Sequence, residues 1–284
     1  MRQIEAIERR SQRTEHLARA LDNVRVARPA ALHVLRLTND PNADHKDVGQ
    51  AVEADPVLTA QVMRLANSAA FGMAGRVSNA PLAVSLVGFS AVRSIATFLA
   101  SGLQDHKAPT PPGFWGHAAA VAAGSSLIGP RFGVARSDAF AAGILHDLGL
   151  ALLHAADPQG HLELIRRTEG DDRALCELEL DGFGVSHPDA AAELLTDWQF
   201  PHDTVVAVSA HHDGPSGHAL SQVVMAADTL AHLMMEPETR RELHADSLAA
   251  MGFEEPNLTA TVEAIKDSTV EILSAFQPGA TLAA

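Results

Sequence analysis

Apolar positions recur along most of this chain at three- and four-residue spacing, the pattern of amphipathic helices. Ile4, Ile7, Leu17 and Leu21 form a loose apolar stripe among charges and predict a helix over residues 1–21. Asp44 is placed to cap a second helix, in which Val48, Ala51 and Val52 fall together; a short acidic side chain satisfies the free N–H groups of a first turn. Asp55-Pro56 repeats the device with proline at the first helical position. Leu58, Val62, Leu65 and Ala69 follow at helical spacing as far as Phe71-Gly72. Pro81 opens another helix, and Gly88 predicts its break from one over 90–103. Further helices are expected over 114–128, 138–155, 158–169, 171–180, 188–197, 201–212, 219–234 and 257–276. Strict alternation is absent, so no strand is predicted. The fold class is all-α.

The segment HKAPTPPGFW holds Pro109, Pro111 and Pro112 and must be extended, which makes it the expected boundary between two helical lobes. Hydrophobic residues make up 46% and charged residues 20% of the chain, an ordinary globular balance. No run of about 18 uninterrupted apolar residues occurs, so no membrane partner is expected. The opening MRQIEAIERRSQRTEHL is charged throughout and lacks a signal-peptide core. Cys176 is the sole cysteine, which excludes an internal disulfide and fits a reducing, cytoplasmic home. Acidic residues outnumber basic ones 35 to 21, so nucleic acid is not an expected partner.

Fifteen histidines change the picture, because imidazole is the commonest metal ligand and titrates near neutral pH. GILHDLGLALL sets His146 beside Asp147 in an otherwise apolar predicted helix. Adjacent residues project roughly 100 degrees apart on a helix, so both can meet one metal or a pair. A charged Asp in such a run is costly unless paired or liganding. His117 lies in the apolar FWGHAAAVAAG, and His187 precedes Pro188 at a helix start. His211 and His212 close PHDTVVAVSAHH, and Asp228 shares a helix face with Val224 and Ala231. Two divalent metals bridged by one Asp and completed by imidazoles need about this ligand set.

The order H…HD…H…HH…D resembles the HD superfamily of metal-dependent phosphohydrolases. EADPVLTAQVMRLANSAAFG (53–72), AVSLVGFSAVRSIA (83–96) and FGVSHPDAAAELLTDWQFP (183–201) resemble its HDOD branch. The resemblance implies a two-lobed architecture: an N-terminal helix over 1–22, an HDOD domain over 23–232 and a C-terminal helical extension over 233–284. Within the domain, a first lobe would span 23–108 and an HD-like lobe 113–232. It also implies metal-ligand roles for His117, His146, Asp147, His187, His211, His212 and Asp228, with Asp147 bridging a divalent pair of Fe, Mn or Zn. HDOD domains are generally regarded as regulatory, which suggests a signalling-protein partner or a small nucleotide ligand. The retained ligand set keeps open the alternative of an active phosphohydrolase or cyclic-nucleotide phosphodiesterase. Against it, Leu150 stands where the related HD-GYP enzymes carry a phosphate-contacting lysine, and the GYP motif is absent from HHDGPSG (211–217).

Blander readings fit the other residues. His154, His161, His202 and His218 are expected in surface or loop positions, and Arg93, Arg131 and Arg136 in solvent. Asn67 and Ser68 are expected to serve local bonding, and Trp115 and Trp198 to anchor the core.

Overall fold

The protein is represented by a computed structural model, which describes residues 28–71, 76–104, 109–214, 217–235, 244, 247–277 and 280. The helix expected over 1–21 lies outside the described residues. Every regular element among the described residues is helical.

Four helices lead to the Pro-rich connector: α1 (Pro29–Leu37), α2 (His45–Glu53), α3 (Pro56–Ala66) and α4 (Ala80–Ala100). α1 was not foreseen; nine residues opened by a proline offer too short a pattern to read. Asp44 and Asp55 cap α2 and α3 through their first-turn N–H groups, as the sequence implied. The third helix stops earlier than its apolar pattern. Asn67 takes the C-cap and ties back to Met63 and Val77, Ser68 bonds the Leu65 carbonyl, and Ala69–Phe71 form a 3-10 turn. α4 carries its kink at Gly88, whose φ of 81° is accessible to glycine at little steric cost. α1, α2 and α3 all pack against α4.

Beyond the connector run α5 (Phe114–Ile128), α6 (Arg136–Leu145), α7 (Leu148–Ala156), α8 (Pro158–Thr168) and α9 (Asp172–Phe183). α10 (His187–Asp197), α11 (His202–Ser209), α12 (Ala219–Met235) and α13 (Asn257–Phe276) complete the described helices. α5 is central, packing on α6, α12 and α13. Small residues permit this closeness. Gly143 of α6 leaves no room for a methyl against Ser125 and the Val121 carbonyl of α5, and Gly124 faces Ala227 of α12. α13 also packs on α3, so the C-terminal segment joins both sides of the connector. Trp115 anchors this seam, with ring centroids 5.0 Å from Phe98 and 6.0 Å from Phe276.

Two expectations are corrected. The single helix over 138–155 is two, because the chain leaves helical geometry at Asp147 (φ −98°, ψ 15°) between α6 and α7. The apolar pattern runs through the break, since both helices are buried, and so conceals it. The helix ending at His212 stops at Ser209, leaving His211 and His212 in the following turn. Two stretches, Ala80–Ala100 and Arg136–Ala156, are long and apolar enough to cross a membrane by composition. They are 67% and 78% buried inside the protein, and their role as core helices accounts for that apolarity.

Gly149 lets α10 approach α7 closely. A Cβ at this position would run into the His187 carbonyl, with the Ala191 amide 3.0 Å away. Gly149→Ala should therefore lower stability by about 1–3 kcal/mol, the usual cost of overpacking, read from the denaturant midpoint. Unchanged stability would show that the contact is compliant.

Candidate metal centre

The break between α6 and α7 turns the Asp147 carboxylate into a buried polar pocket. His146, last of the preceding helical turn, lies with its Nε2 3.3 Å from Asp147 Oδ2. α5 brings His117 alongside, its Nε2 3.3 Å from His146 Nε2 and 3.0 Å from Asp228 Oδ1 on α12. From the other side, His187 at the start of α10 and His211 after α11 place their Nε2 atoms 3.6 and 3.5 Å from Asp147 Oδ1. His212 Nε2 lies 3.1 Å from His187 Nε2. All seven residues singled out by the sequence therefore meet around Asp147.

Two groups share that aspartate. Asp147, His187, His211 and His212 each offer one ligand atom within 4.8 Å of the others, and so do His117, His146 and Asp147. The backbone fixes which nitrogen each ring presents. His146 Nδ1 lies 2.8 Å from the Gly143 carbonyl and His211 Nδ1 2.6 Å from the Val208 carbonyl. A carbonyl only accepts, so Nδ1 carries the proton and Nε2 is the nitrogen that faces Asp147. His211 Nε2 is buried and has no hydrogen-bond partner. A bare, oriented imidazole nitrogen beside a shared carboxylate fits a divalent metal, with the outer N–H anchored as metal-bound histidines require.

Electrostatics divide the ring of histidines. Burial alone would raise the Asp147 pKa, but His146, His211 and His187 hold it well below the ordinary carboxylate value. Burial likewise opposes charge on His146 and His187. Asp147 and Asp228 nonetheless raise the first, and Cys176, Glu179 and Asp147 carry the second well above the usual imidazole value. Burial and neighbouring imidazoles lower His211, and push His212 down to about 2. Asp228 is held low against burial by His232 and His117. Burial and the adjacent Asp228 raise Asp172 to about 6.

Several residues around the centre escaped the sequence reading. His232 stands one turn after Asp228 on α12, its Nε2 3.3 Å from Asp228 Oδ1, and Asp172 lines the same cavity. Their i, i+4 spacing on a helix facing the site was the available signal for His232. His154 and His161, expected at the surface, are buried at the end of α7 and in α8, respectively. Arg93, expected in solvent, is buried as well. Its Nη2 donates to the Trp198 and Gln199 carbonyls at 2.7 and 2.6 Å, and its guanidinium lies over Phe200.

A cavity of about 280 Å³ opens onto the centre between Pro111, Pro112, Phe114, Leu150, Ile165, Leu175 and Met235 on its apolar side. Asp147, Asp172, Asp228 and the histidines line the polar side, with neither lysine nor arginine among the described residues that line it. Arg173, at a neighbouring opening, donates Nε and Nη2 to the carbonyls of His212 and Asp213. Arg131 and Arg136 are directed at the Gly252 and Ser126 carbonyls.

The family model of the HDOD domain matches residues 27–214. A curated relative, an uncharacterized protein of Treponema pallidum (strain Nichols), is 24% identical over 232 residues, 77% of this chain. The chain spans 43% of the length of that relative. An HDOD domain protein of unknown function from Geobacter sulfurreducens shares the fold at 23% identity, with a TM-score of 0.64 over 95% of this chain and 98% of that one. A Shewanella amazonensis SB2B protein, provisionally named a phosphohydrolase, does so at 22% identity, with a TM-score of 0.67 over 92% and 98%. At these identities the structural likeness is one of fold. Match, helical architecture and motif order agree: this chain belongs to the HDOD family.

Proposed function

We propose that this chain is a regulatory HDOD protein that keeps a divalent metal pair as a binding centre and turns over phosphodiesters poorly. One metal would be held by His117, His146, Asp147 and Asp228, the other by Asp147, His187, His211 and His212. The observation that carries the reading is the pairing of an imidazole–carboxylate cage with a cavity that, among the described residues, is lined by neither lysine nor arginine. Metals bound there would supply Lewis acidity and an activated water. The protein's own groups would then have to hold the phosphate, and Arg173, at the neighbouring opening, is committed to the His212 and Asp213 carbonyls. Leu150 on the cavity wall can donate nothing. In this reading a small anionic ligand, such as a nucleotide, docks on the metals, and the signal passes to a protein partner.

The completeness of the cage favours a second reading, that of a metal-dependent phosphohydrolase. In that case a ligand's own groups, or a partner, would complete the phosphate clamp. Turnover separates the two. Wild-type protein loaded with Mn²⁺ should hydrolyse cyclic dinucleotides and simple phosphodiesters barely above background. Leu150→Lys should raise the residual rate, since one well-placed donor contributes on the order of 100-fold. Robust wild-type hydrolysis that disappears in His146→Ala would overturn the regulatory reading.

Metal analysis of protein purified without a histidine tag should give about two divalent ions per chain, and Asp147→Ala should bind neither. Retention of both ions by that variant would rule out a bridging carboxylate. Affinity should also depend on pH. The His187 pKa is raised, so its proton is kept up to a higher pH and competes with the metal. Mn²⁺ binding should therefore tighten as pH rises through that value and level off above it; affinity that is flat with pH would exclude His187 as a ligand.

A further inference from the structure

Behind His187, away from the metals, a second buried polar group has no part in the ligand set. Glu179 of α9 is fully buried, and among the described residues its ion-pair partners are two histidines, His161 and His187. Its Oε2 accepts from the His187 backbone N–H at 2.8 Å and lies 2.7 Å from the same residue's Nδ1. Its Oε1 lies 2.9 Å from Nε2 of His161 on α8, itself fully buried. One carboxylate thus clamps the first residue of α10 by main chain and side chain together, and is held from behind by a second helix.

We infer that Glu179 is the positioning residue of the metal centre, fixing His187 with its proton on Nδ1 and its Nε2 toward Asp147, with His161 locking the carboxylate in place. The inference rests on the metal reading above. The other anchored rings, His146 and His211, bond carbonyls of their own helical turns, three residues back. His187 cannot use that device. As the first residue of α10 it follows Val185 and Ser186, which are outside a helix, so an outside acceptor has to supply the anchor. A carboxylate does this more strongly than a carbonyl, because the bond is charge-assisted, and it also satisfies a free N–H at the start of α10. Burying an unpaired carboxylate is costly, and three N–H donors from two histidines compensate it here. Cys176 Sγ lies 3.9 Å from His187 Nδ1, a weaker contact that completes the surroundings of the ring.

Histidine-selective ¹⁵N NMR and Zn²⁺ titration of the full chain test the inference, with Zn²⁺ alone as the probe. In wild type, His187 should show a protected proton on Nδ1 both before and after Zn²⁺ is added, with coordination through Nε2. Glu179→Ala should lose that protection and bind Zn²⁺ about 10- to 100-fold more weakly, the usual effect of removing a ligand's anchor. Glu179→Gln keeps one accepting oxygen and the side-chain volume. It should recover the Nδ1 signal and much of the affinity, which guards against Glu179→Ala simply failing to fold. A wild-type His187 without a proton on Nδ1 would overturn the inference, as would a folded Glu179→Ala with unchanged signal and affinity. A wild type that binds no Zn²⁺, while its Nδ1 proton still depends on Glu179, would sink the metal reading and leave the positioning role standing.

Discussion

A single carboxylate, that of Asp147, sits where one buried helix ends and the next begins, and the second half of the molecule is organised around its charge. In the apolar interior an isolated carboxylate costs several kcal/mol, and five imidazoles, that of the adjacent His146 and four from three other places in the chain, surround this one. His146 keeps helical geometry and the chain departs from it at Asp147, so the two neighbouring side chains reach the same pocket where α6 hands over to α7. The close approach of α10, open only because residue 149 lacks a side chain, closes the far side.

Alanine and glycine do quiet positional work around this centre. α5 and α6, and α5 and α12, meet through residues too small to hold the backbones apart, so His117 and Asp228 arrive within hydrogen-bonding distance. The polar cluster is thereby held among closely packed helices, and its low-dielectric surroundings strengthen the pairings within it. Three carboxylates, Asp147, Asp172 and Asp228, face one cavity that, among the described residues, neither lysine nor arginine lines. Such a concentration of negative charge is a setting in which divalent cations bind readily and free polyanions do not.

The helices and the cage were largely legible because their signals are local. Asp44 and Asp55 announce helix starts, Gly88 a kink, and seven histidines and aspartates stand out in apolar runs. What escaped depends on the third dimension. Continuous burial hides the break at Asp147, since an apolar pattern cannot report a turn between two core helices. Glu179 sits in the charged string CELELDG and reads as solvated, yet it lies midway between Leu175 and Phe183, both buried, at steps of four. That placement on an apolar face was its legible trace. His161 lies three residues before buried Leu164 and could have been read in the same way. Arg93 gave no such warning, because its partners are carbonyls more than a hundred residues away.

That arginine has a mechanical consequence. Its guanidinium fastens α4 to the turn that ends α10, through two carbonyls and the face of Phe200. α10 begins with His187 and is only eleven residues long, so one end of this short rod touches the metal cage and the other is pinned to the N-terminal helices. A rigid rod transmits displacement with little loss. A pull on His187 would therefore load α7, against which α10 packs at Gly149, and at the far end of the rod the Arg93 contact with α4.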